Sequence, residues 1–89
     1  MSYRYEQVQA YEVARELINS EIADCSAAIG VEEEKAEPNQ TRIEELQGNV
    51  TALVIERGQM DMMDDAAVSA IIAKYRREPG RAVAPQAQP

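Results

Sequence analysis

The sequence predicts an all-α fold: a long antiparallel helical hairpin plus a shorter third helix, three-helix-bundle-like, in one domain over residues 1–78. Three observations predict it. Apolar residues recur at alternating steps of three and four along two long stretches, the mark of a helix lying along another helix. No stretch alternates apolar and polar residues for long, as a half-buried strand would. The core material is Ile, Leu, Val, Met and Ala: the 89 residues hold neither Trp nor Phe, and Tyr is the only aromatic. Such side chains fill helix–helix seams and make a thick sandwich core improbable.

The first helix is expected over about residues 3–29, with Ser2 as its cap. Its stripe runs Val8, Tyr11, Ile18, Ile22, Cys25 and Ile29, interrupted by Arg15. A second stripe, Ala10, Val13, Ala14 and Leu17, asks for a further neighbour near the N-terminus. Gly30 is placed to close the helix, since glycine tolerates the left-handed conformation of a final turn, although the helix can also continue into the glutamates. An acidic elbow follows over residues 30–40, broken by Pro38 and Asn39.

The second helix is expected over residues 41–58. Thr41 and Glu44 in "TRIE" form a capping box, in which the hydroxyl accepts from a free amide and the glutamate reaches back. From there Ile43, Leu46, Val50, Leu53, Arg57 and Met60 step along the seam, while Val54 and Ile55 lie off it and need another apolar neighbour. Gly48 falls on the outer face, and Gly58 is placed to end the helix. Asp61 would cap a third helix over residues 62–78, with Met63, Ala67, Val68, Ile71, Ile72 and Tyr75 inward and Pro79–Gly80 as its stop. Residues 79–89, rich in Pro, Ala and Gln, read as a flexible tail.

Folding the first two helices together about residues 36–38 gives a consistent register. Ile29 meets Leu46, Cys25 meets Val50, Ile22 meets Leu53, Ile18 lies beside Arg57, and Arg15 lies beside Met60. Both seam arginines then fall toward the open end, where they can pair with Glu12, Glu16, Asp61 or Asp64. A helix of about 27 residues spans roughly 40 Å and outruns its partner. Residues 3–16 therefore project unless a third helix covers them. That overhang is the expected oligomer or partner surface, with Tyr5, Val8, Tyr11, Val13, Arg15, Arg57, Met60 and Met63 as its residues.

The charge is uneven. The whole chain carries −7, of which residues 1–73 hold −10 and residues 74–89 hold +3. An acidic body disfavours direct nucleic-acid binding, because it repels phosphates, and suits a basic partner. The elbow's Glu32, Glu33, Glu34 and Glu37 form a possible acidic docking patch but lack the ligand spacing and turn glycine of a calcium loop. The basic stretch Lys74 to Glu78 is expected to return to this elbow and face its glutamates.

Catalytic chemistry finds little support. Histidine is absent, which removes the usual base near neutral pH and the commonest transition-metal ligand. The lone Cys25 has no histidine partner and sits on the seam. The pairs Glu12/Glu16 and Glu21/Asp24 are similar in spacing to the Mg²⁺-binding pairs of the all-α nucleotide pyrophosphatases. Their order differs, and the basic phosphate-binding residues of those enzymes are missing.

The reading is a non-catalytic, cytoplasmic protein–protein interaction module of adaptor, chaperone-like or inhibitor kind, with no cofactor, no metal and no membrane span. A homodimer and a basic or helical protein partner are expected, and size and architecture suggest a bacterial or mobile-element protein. The alternatives are an acidic DNA-mimic inhibitor and a carboxylate- and Mg²⁺-dependent nucleotide hydrolase.

Overall fold

The computed structural model describes residues 4–76. It contains three helices and, among the described residues, no strand: α1 Tyr5–Glu33, α2 Gln40–Gln59 and α3 Asp65–Tyr75. The expected cap Ser2, the stop at Pro79–Gly80 and the tail lie outside the described residues.

α1 starts after Arg4, whose backbone N–H donates to the Gln7 side chain at 3.0 Å. It does not close at Gly30. That residue has no positive φ, and the helix continues to Glu33, where the Glu34 N–H still reaches the Gly30 carbonyl at 3.2 Å. The last turn is held by Glu32. Its carboxylate accepts from the Asn39 backbone N–H at 2.9 Å and from Lys35 Nζ at 3.0 Å, which fastens the elbow across its neck.

α2 begins one residue before the expected Thr41, and its cap is Asn39 rather than Thr41. The Asn39 side chain accepts from the Arg42 N–H at 3.1 Å, so Thr41 falls inside the first turn and the capping box does not form. An asparagine following Pro38 is a strong cap, and it wins because Glu32 already anchors its amide. Gly58 does not end α2, which runs to Gln59. Asp61 does not cap α3 either. It accepts from the Met63 N–H at 2.9 Å and closes a turn, and Asp64 caps instead, accepting from the Ala67 N–H at 3.0 Å. α3 thus starts at Asp65, three residues later than expected, and ends at Tyr75 before an extended Arg76.

α1 is the spine: it packs on both α2 and α3. α2 runs back from the elbow until Arg57 donates to the side chain of Asn19, one residue from the Ile18 level of the expected register. α3 covers the rest. Asp65 accepts from Arg4 and Gln7, both at 3.1 Å, and Val68 shares a cavity wall with Ala10. The projecting overhang is therefore roofed: Val8 and Tyr11 are half-buried and Ala14 is buried. The two helices lie in series along one side of the spine, and they meet near its middle. There Ile18 is the largest fully buried side chain of a small core that also holds Ala14, Ile43, Leu46, Leu53 and Val68.

Candidate interaction surface

The meeting point of α2 and α3 is a polar clasp. The Tyr75 hydroxyl and Lys74 Nζ both donate to Glu56, Lys74 at 3.2 Å, and the ammonium also lies 5.0 Å from the centre of the Tyr75 ring. Burial, then the bond to Glu56, raises the Tyr75 pKa against an opposing effect of Lys74. Hydrogen bonding to Tyr75 and then to Glu56 raises that of Lys74. Lys74 thus reaches the last turn of α2, not the elbow; Arg76 is exposed, and Arg77 and Glu78 lie outside the described residues. Beyond Tyr75 a groove of about 490 Å³ opens, with Cys25, Leu53 and Ile55 among its apolar lining and Glu21 and Glu56 among its charged lining. Cys25 is a free, half-buried thiol in that wall.

The expected surface residues are dispersed by this arrangement. Tyr5 (72% exposed) and Val13 (41%) stay open, on the side of α1 away from α2 and α3. Val8 and Tyr11 are half-buried. Arg15 is exposed, Arg57 is half-buried on Asn19, Met60 is half-buried and Met63 is exposed. Arg57 therefore bonds a neutral amide in place of the carboxylates expected for it. In the elbow patch, Glu33, Glu34 and Glu37 are exposed, but Glu32 is buried and serves as the neck fastening. Its bonds to the Asn39 amide and then Lys35 hold its carboxyl below the usual carboxylate range.

The sequence reading named Tyr5 and Val13 but not the rest of the exposed line they belong to. Tyr5, Gln9, Val13, Glu16, Ser20, Ala23, Ala27 and Val31 step by three and four along α1, and every one is exposed. The signal was present in the spacing of Val13, Ala23, Ala27 and Val31, but alanines scattered among polar residues read as solvated surface. On α2, Val54 and Ile55 are also exposed, Ile55 within the lining of the groove beside Tyr75.

Among the described residues, no group of three or more Cys, Asp or Glu side chains converges to hold a metal. No helix of the described residues is long and apolar enough to cross a membrane. The chain matches no known protein family, no curated protein and no solved structure.

Proposed function

We propose that this chain is a non-catalytic, cytoplasmic helical module that works by binding another protein chain. One observation carries the reading: the fold leaves large apolar side chains outside while its own core is small. Tyr5, Val31 and Ile55 are 72%, 63% and 52% exposed, whereas among the described residues Ile18 is the only large side chain that is fully enclosed. A domain of this size gains little from its own core, and further burial against a second chain supplements it. Self-association and a heterologous partner are the two forms the reading takes. The acidic character of the body favours a basic partner.

Affinity purification from the native host, comparing the wild type with a Tyr5→Ser/Val13→Asp variant, tests this. The reading expects one protein in stoichiometric amount with the wild type and its loss with the variant. A wild-type chain that co-purifies with nothing and sediments as a monomer would refute it.

A further inference from the structure

We infer that one flank of the α1–α2 hairpin, the one opposite the groove, docks a second copy of this chain laid head to tail; the inference rests on the interaction reading and names the partner. The hydrogen bond from Arg57 to Asn19 crosses between the two helices on this flank. Steps of three and four from Asn19 give Arg15, Ile22, Ser26, Ile29 and Glu33 along α1. The same steps back from Arg57 give Val54, Val50, Gln47 and Glu44 along α2. None of these residues lines the groove, which opens on the other flank and is closed at its end by Lys74 and Tyr75 of α3. Ile22, Ile29 and Val50 are half-buried, and Val54 is 42% exposed, so the hairpin leaves a continuous apolar seam half open.

Charge selects the occupant. The chain has sixteen acids and nine bases, yet between their end residues these two lines carry no charge. The ends are charged with opposite signs: Arg15 and Arg57 lie toward the open end of the hairpin, Glu33 and Glu44 toward the elbow. Arg15, Glu33 and Glu44 form no ion pair among the described residues. A two-fold axis running across the hairpin lays α1 on α1 and α2 on α2 with the ends reversed. Each Arg15 then meets Glu33 of the other copy, and each Arg57 meets its Glu44. One axis has to serve both pairs. The midpoint of Arg15 and Glu33 is Asp24, and that of Glu44 and Arg57 falls between Val50 and Thr51. Counted along both helices from the Asn19–Arg57 bond, these midpoints lie within two residues of one level, about 3 Å at 1.5 Å per residue. A copy docked the same way up would set arginine beside arginine and glutamate beside glutamate, and a basic partner would find acids at one end only. The flank spans about 30 Å along the 20 residues of α2 and about 20 Å across two helices, roughly 600 Å² on each copy, the lower bound for a stable pair.

Sedimentation equilibrium of the full chain tests this, with circular dichroism confirming that each variant is folded. The wild type should dimerise. Val54→Glu, in the middle of the flank, should weaken the dimer about a hundredfold, while Ile55→Glu, on the groove side, should leave it unchanged. Arg15→Glu and Glu33→Arg should each weaken it about tenfold. The two changes in one chain should restore it, because each pair then meets with its signs exchanged. A wild-type monomer at every concentration would overturn the proposal, as would a dimer that withstands Val54→Glu or that Ile55→Glu breaks as readily. Failure of the double charge exchange to recover the dimer would overturn the head-to-tail arrangement. If the wild type is a monomer that still co-purifies with a host protein, the second copy falls as the occupant of this flank and the interaction reading stands.

Discussion

Tyr75 at the end of α3 donates its hydroxyl hydrogen to Glu56 in the last turn of α2, and with the neighbouring Lys74 it ties together two helices that both pack on α1. Tyr75→Phe keeps the ring and removes that bond, so it should cost about 1 kcal/mol in urea unfolding. It should also alter the alkaline limb of stability. Tyr75 and Lys74 both have raised pKa values in the fold, so their contribution is complete below their ordinary values. It is lost as pH rises through the raised ones, and a pH series of melting temperatures should fall less steeply above the ordinary tyrosine value in Tyr75→Phe.

The neck bond of Glu32 has the opposite sign. Its carboxyl is held below the usual carboxylate range, first by the Asn39 amide and then by Lys35. The stabilisation is present above that range and is lost as pH falls through the lower folded value. Glu32→Gln should therefore lower stability at neutral pH and flatten the acid limb, measured as melting temperature between neutral and strongly acidic pH.

The caps give a clean contrast. Asn39→Ala should destabilise the chain by about 1 kcal/mol, because the Arg42 amide loses its acceptor. Thr41→Ala should change little, since Thr41 is exposed in the first turn. A capping box at Thr41 would reverse that order in chemical denaturation.

Gly30 tests where α1 ends. It sits within the helix without positive φ, and a Cβ there meets nothing within 4 Å. Gly30→Ala should raise stability by about 0.5–1 kcal/mol in urea unfolding. A helix that closed at a left-handed Gly30 would be destabilised by the same change.

Ile18→Ala should be the most damaging apolar substitution, at about 3 kcal/mol by denaturant unfolding. The side chain is fully buried where α2 and α3 converge on the spine, and the total stability of so small a domain is only of order 5 kcal/mol. Val54→Ala, half-exposed on α2, should be near neutral.

The hairpin was legible because seam spacing is a property of whole helices. The register that placed Ile18 beside Arg57 missed the observed Arg57–Asn19 bond by one residue. Caps were less legible, since Thr41 and Asp61 have the right chemistry but Asn39 and Asp64 have the right position. Asn39 is fixed by a carboxylate seven residues earlier, Glu32, which local pattern reading does not reach. The candidate surface shifted for a similar reason. Val8 and Tyr11 look exposed when α2 is too short to cover them, and nothing local to them announces that α3 doubles back along α1. The second stripe, with Ala10 and Ala14, did ask for that neighbour; Val13, from the same stripe, was left on the open side.

On the proposed reading, the side of α1 facing away from α2 and α3 meets another protein chain. A photoreactive amino acid placed at Ala23 of that face, and in a separate chain at the exposed Gly48 of α2, tests it in native host cells. One dominant cross-linked species is expected from position 23 and none from position 48. Cross-linking from position 48 with none from position 23 would contradict it.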